Sequence, residues 1–117
     1  MLVTKEFTFD SAHNLPNYHG KCERLHGHTY RLQVTISAPV DAATGMALDF
    51  AILGDLVERE VVAVLDHRYL NEIIPTSSAE NVAIWIWDKL KSQLPRAKLA
   101  EIKLWETPTS SVTLRDE

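Results

Sequence analysis

The chain has 117 residues, 45% of them hydrophobic, and a formal net charge of -4, which is enough apolar material for one core and predicts a single domain over 1–117. Its 12 Lys and Arg residues are scattered without a basic run, so a nucleic-acid partner is not expected. No apolar run approaches the ~18 residues needed to cross a bilayer, and the first residues lack the basic and apolar regions of a secretion signal; a cytoplasmic protein without membrane contact is expected.

From Val3 to His13 the residues alternate, with Val3, Lys5, Phe7, Phe9, Ser11 and His13 on the face read as inward. That period of two marks a strand. From His26 to Ile36 the alternation is cleaner and puts His26, His28, Tyr30, Leu32, Val34 and Ile36 on one apolar face. A helix is predicted to start at Asp49 or the residue just before it, with Phe50, Leu53, Leu56, Val57, Val61, Val64 and Leu65 at the spacing of an amphipathic face, and to end near Asp66-His67. Ser77-Ser78-Ala79-Glu80 matches a capping box with Ser77 as N-cap, and predicts a second helix running to about Leu94. Leu99 to Glu106 alternates again, with Ala100, Ile102, Leu104 and Glu106 on one side, and Ser111 to Arg115 reads as a short last strand. The order ββααββ predicts an α+β fold: a four-stranded antiparallel sheet with two helices on one face. So small a chain cannot also protect its sheet edges, which predicts pairing between subunits in a homo-oligomer.

His26 and His28 project side by side from one strand, and the turn between the strands can bring His13 beside them. Any one of them alone is better read as an ordinary histidine hydrogen-bonded at a strand end. Three together favour Zn²⁺, and a three-histidine set leaves one tetrahedral position open, as catalytic sites require. Cys22, the single cysteine, excludes an internal disulfide and lies in a polar loop with Lys21 and Arg24 that favours the thiolate. It can be a nucleophile or base, a fourth ligand, or a small buried filler. Asp66 can orient His67 at a helix end, or the pair can simply cap that helix. Glu106 points inward, where an unpaired carboxylate is costly; either an arginine or a ligand with adjacent N–H donors would satisfy it. His19 has nothing around it in the sequence to organise it and reads as surface.

The run Cys22-Glu23-Arg24-Leu25-His26-Gly27-His28, with His13 upstream, Leu65-Asp66-His67-Arg68-Tyr69-Leu70-Asn71 in the middle and Glu106-Thr107 near the end, resembles the 6-pyruvoyltetrahydropterin synthase family over nearly the whole chain. The three residues between the cysteine and H-G-H are similar to the 6-carboxytetrahydropterin synthase branch of queuosine biosynthesis; 6-pyruvoyl synthases usually have a longer spacer. The resemblance implies the tunnelling fold, in which trimers close around a β-barrel and stack as hexamers with sites at subunit boundaries. It implies conversion of 7,8-dihydroneopterin triphosphate to 6-carboxy-5,6,7,8-tetrahydropterin, acetaldehyde and triphosphate. By the same resemblance His13, His26 and His28 hold zinc, Cys22 acts as thiolate base, Asp66 and His67 relay a second proton, and Glu106 anchors the pterin ring. In one departure, Ser77-Ser78 stand where the family often has Pro-Thr directly before Ala79-Glu80-Asn81. Two other readings are 6-pyruvoyl-type triphosphate elimination and a non-catalytic zinc- or pterin-binding module; the latter would not need Cys22 or His67.

Overall fold

The computed structural model describes residues 1–16, 20, 24–94 and 96–116; Cys22 and His19 lie outside the described residues. Strands β1 (Leu2–His13) and β2 (His26–Ser37) form a long antiparallel pair. Helix α1 (Phe50–Val57) runs through a π-helical turn over Glu58–Val62 into a last α turn, α2 (Ala63–Leu65). Then come β3 (Arg68–Tyr69), a 3-10 turn over Leu70–Glu72, α3 (Ala79–Leu90), β4 (Lys98–Thr107) and β5 (Ser110–Arg115).

The sheet order is β3-β1-β2-β4-β5. The four long strands and two helical regions match the expected order, but the sheet has five strands and is mixed. Two-residue β3 runs parallel to β1, pairing Ser11 with Arg68 and Ala12 with Tyr69. The cause is local. The Asp10 N–H donates to the Asp66 carboxylate at 2.8 Å, and the Asp10 carbonyl accepts from the His67 N–H at 2.6 Å. Together these draw the chain leaving the helix against the end of β1.

Alternation places Phe7, Phe9, Tyr30, Leu32, Val34 and Ile36 in one apolar layer with Leu53, Val57, Leu65, Val82, Ile86 and Leu90 of the helices. The opposite face, with Thr4, Glu6, Thr8, Thr29 and Arg31, stays exposed. Phe9 and Tyr30 stack at 5.0 Å and carry the core up to the histidine end of the sheet.

Three expectations need correction. Ala100 does not lead the inward face of β4. Thr35 pairs with Glu101 but Ile36 with Leu99, so Ala100 is the extra residue of a bulge and Leu99 takes the buried position. Ser78, not Ser77, caps α3: it has extended dihedrals, and its hydroxyl accepts from the Asn81 N–H at 3.2 Å. Ser77 is fully buried and bonded elsewhere, so Glu80 falls one place short of the capping-box position. α3 ends at Leu90, not near Leu94: the Gln93 N–H turns back to the Leu90 carbonyl, and Lys91 to Gln93 are exposed with no apolar face to pack.

Candidate metal centre and active site

Register builds the centre. His13 pairs directly with His26, and Ser11 with His28, so the three imidazoles meet at one end of the buried face. One ligating nitrogen from each ring lies within 4.8 Å of the others, and the ring centroids are 4.6 to 5.1 Å apart. His13 is almost wholly buried; His26 and His28 are partly so.

Their hydrogen bonds decide which atoms face the centre. His13 Nδ1 is 2.7 Å from the Ser77 carbonyl, and His26 Nδ1 is 2.7 Å from the Arg24 carbonyl. A carbonyl only accepts, so both Nδ1 atoms carry the proton and both Nε2 atoms present lone pairs. That is the arrangement by which proteins orient metal-ligating histidines. The Nε2 atoms of His13 and His28 are buried without a hydrogen-bond partner among the described residues. Burial is the main cause holding the His28 pKa below the usual imidazole value, opposed by Glu106 and reinforced by His13 and His26. Three converging imidazoles, two of them with a buried Nε2 that has no partner among the described residues, are what a divalent ion with a preference for imidazole requires, so the residues present fit a metal.

Glu106 joins the cluster, as its inward position predicts. Its carboxylate oxygens stand 3.9 Å from His13 Nε2 and 3.6 Å from His28 Nε2, longer than hydrogen bonds, and no arginine pairs with it among the described residues. Its placement has a backbone cause. Trp105 pairs with Ser111 but Thr107 with Ser110, so Glu106 is itself the extra residue of a second bulge. Glu106 also lines a cavity of about 260 Å³ between the start of α3 and the β4–β5 turn, with Leu15, Ser78, Glu80 and Val112.

Asp66 and His67 form a pair of their own, His67 Nδ1 lying 2.9 Å from Asp66 Oδ2. The Asp10 backbone N–H, and then His67, hold the Asp66 carboxyl below its ordinary pKa; the Asp66 hydrogen bond raises that of His67. His67 is in the left-handed region at φ 58° and is exposed, so the sequence reading of a helix end is right for Asp66, the C-cap, while His67 begins the turn beyond it. Among the described residues no polar contact joins this pair to the three histidines, although His67 and His28 share the wall of an open cavity of about 570 Å³ with Asp10 and Thr29.

Sequence reasoning overlooked the polar groups behind the centre: Ser77, Asn71 and the Asn14 backbone. It also overlooked Tyr30 as a polar group: its hydroxyl is buried without a partner among the described residues, and burial raises the pKa of its phenol. Tyr30 continues the His26-His28 face, a signal that was available; Ser77 and Asn71 gave none, because their bonds to His13 and Asn14 span 64 and 57 residues.

The chain is similar to known proteins over nearly its whole length. The model of a family described as 6-pyruvoyl tetrahydropterin synthase matches residues 2–117. A 6-carboxy-5,6,7,8-tetrahydropterin synthase of Synechocystis sp. is 38% identical, over 94% of this chain and 89% of its own. One from Haemophilus influenzae is 35% identical, over 92% and 94%. The 6-pyruvoyl tetrahydrobiopterin synthase of Homo sapiens is 33% identical, over 98% and 91%. The solved structure of Caenorhabditis elegans 6-pyruvoyl tetrahydropterin synthase superimposes with a TM-score of 0.89 at 31% identity, covering 100% of this chain and 96% of that one. From its first strand to its last, the chain belongs to the 6-pyruvoyl tetrahydropterin synthase family.

Proposed function

We propose that this chain is a zinc-dependent lyase that converts 7,8-dihydroneopterin triphosphate and one water to 6-carboxy-5,6,7,8-tetrahydropterin, acetaldehyde and triphosphate, in queuosine biosynthesis and in the cytoplasm. The observation that carries the reading is the convergence of His13, His26 and His28 with unsatisfied buried nitrogens beside an inward carboxylate. Bound there, Zn²⁺ supplies a Lewis acid that polarises the hydroxyl oxygens of the substrate side chain and acidifies the adjacent C–H.

The chain's own residues do the rest. Glu106 accepts hydrogen bonds from the amino group and ring N–H of the pterin, in a cavity wall of a size suited to a bicyclic ring. Cys22, as thiolate, removes a proton from the substrate side chain. His67, held in one orientation by Asp66, carries the second proton. Because no polar contact joins Asp66 and His67 to the three histidines among the described residues, the reading includes a homo-oligomer, a hexamer of two trimers in the tunnelling fold, with sites completed across subunit boundaries.

The 6-carboxy product is favoured over the 6-pyruvoyl one by the three-residue spacer between Cys22 and His26, and the relatives of that name are 35% and 38% identical. The deciding experiment is incubation with 7,8-dihydroneopterin triphosphate and identification of products by mass spectrometry. A 6-pyruvoyl product would move the chain to the other branch, and binding without turnover would make it a pterin-binding module.

A further inference from the structure

The Tyr30 side chain is fully buried, and its hydroxyl has no hydrogen-bond partner among the described residues. The ring is held without it. It stacks on Phe9 at 5.0 Å and lies edge-on to the rings of His13 and His28 at 6.3 and 5.6 Å. Phenylalanine would fill the same space and spare the cost of an orphaned donor, so packing does not account for the oxygen.

Strand register points to the partner. β2 and β4 pair antiparallel through Leu32–Leu104 and then Arg31–Trp105. One step further, the same register sets Tyr30 opposite Glu106 on the inward face, the relation in which side chains of neighbouring strands meet. Both residues flank the same two imidazoles: the Glu106 oxygens stand 3.9 Å from His13 Nε2 and 3.6 Å from His28 Nε2, beyond hydrogen-bond reach. After burial, the charge of Glu106 is the other cause that raises the phenol pKa, so the two groups lie within electrostatic reach of each other. A buried donor without an acceptor thus faces a carboxylate without a donor. A carboxylate has about four lone-pair sites, so one that takes the adjacent N–H groups of a pterin edge still has room for a phenol behind it.

We propose that Tyr30 is a positioning residue for the pterin site: when a ligand turns the Glu106 carboxylate to its ring edge, the Tyr30 hydroxyl donates to that carboxylate from the core side and fixes its orientation. The inference rests on the reading of Glu106 as the ring anchor, and the test separates the two. Binding of 7,8-dihydroneopterin is followed by calorimetric titration, and stability of the ligand-free protein by chemical denaturation, in the parent, Tyr30→Phe, Glu106→Gln and the double variant. Tyr30→Phe gives up no bond in the empty chain, so its denaturation midpoint stays at or above that of the parent, while its affinity for the pterin falls about tenfold. In the Glu106→Gln background the charged acceptor is gone, and the same change costs no more than about threefold. Unchanged affinity in Tyr30→Phe, or an equal loss with and without the Glu106 carboxylate, would overturn the proposal. So would a lowered denaturation midpoint in Tyr30→Phe, which would show that the hydroxyl already has a partner in the empty chain. Glu106→Gln binding as tightly as the parent would refute the anchor reading, whereas a loss there with none in Tyr30→Phe would refute this proposal and leave the anchor in place.

Discussion

Glu106 stands at a bulge of β4, and among the described residues its carboxylate has only long contacts with two imidazoles. A ligand offering two adjacent N–H groups would gain charge-assisted bonds there, each worth about 1.5–3 kcal/mol. Glu106→Gln is therefore expected to weaken binding of 7,8-dihydroneopterin by about 10- to 100-fold in calorimetric titration. An unaltered affinity would show that the carboxylate serves the histidines alone. At the other pair, Asp66 raises the His67 pKa, so Asp66→Asn should lower it toward about 6.5, read by NMR titration of the ring. The sign of the stability effect follows. The Asp66 contribution is present above its unfolded pKa and fades as pH falls through its depressed folded value. The His67 contribution is present below its unfolded pKa and fades as pH rises through its raised one. The pair therefore helps most between those limits. For the centre itself, elemental analysis should find about one zinc per chain, and His13→Ala should abolish it; retention of zinc by that variant would exclude His13 as a ligand.

Cap chemistry gives a test at the level of elements. Ser78→Ala removes the hydroxyl that accepts from Asn81, and should cost about 1 kcal/mol in chemical denaturation. If stability is unchanged, the helix start is held by the Asn81 side chain bonded to the Thr76 carbonyl. Ser77 and Ser78 also show where sequence reading reaches its limit. Both fit a helix start by local pattern, and what separates them is that Ser77 is occupied by Asn71 and His13, 6 and 64 residues away. The long strands were legible because alternation survives any packing detail, and it carried His13, His26, His28 and Glu106 to one face. The bulges at Ala100 and Glu106 were not, since an extra residue in one strand is defined only against its partner. Likewise β3 is made by hydrogen bonds from Asp10, with no hydrophobic period of its own. The π turn at Glu58–Val62 keeps Val61 and Val62 in the core while widening one turn, which an average helical period cannot reveal.

The molecule measures 54 × 26 × 24 Å with a radius of gyration of 15.2 Å, against about 13 Å for a compact chain of about 100 residues. Twelve-residue strands extend it, and two-residue β3 pairs with the Ser11–Ala12 part of the β1 edge, leaving most of that edge and the outer edge of β5 without a strand partner among the described residues. Such edges favour association, so native mass spectrometry is expected to find trimers or hexamers; a monomer at micromolar concentration would refute the oligomeric reading. The direct pairing of His13 with His26 also bears on how such a chain tolerates changes in length. Because His13 and His26 pair at one rung, a change of length between Asn14, which is bonded to Asn71, and Arg24, whose carbonyl holds His26 Nδ1, leaves the strand register of the histidines as it is. One residue added within β1 or β2 between the core and a histidine would turn that histidine to the other face. Drift in chain length between Asn14 and Arg24 therefore spares the register that gathers the three histidines, whereas the same drift a few residues away in either strand breaks it.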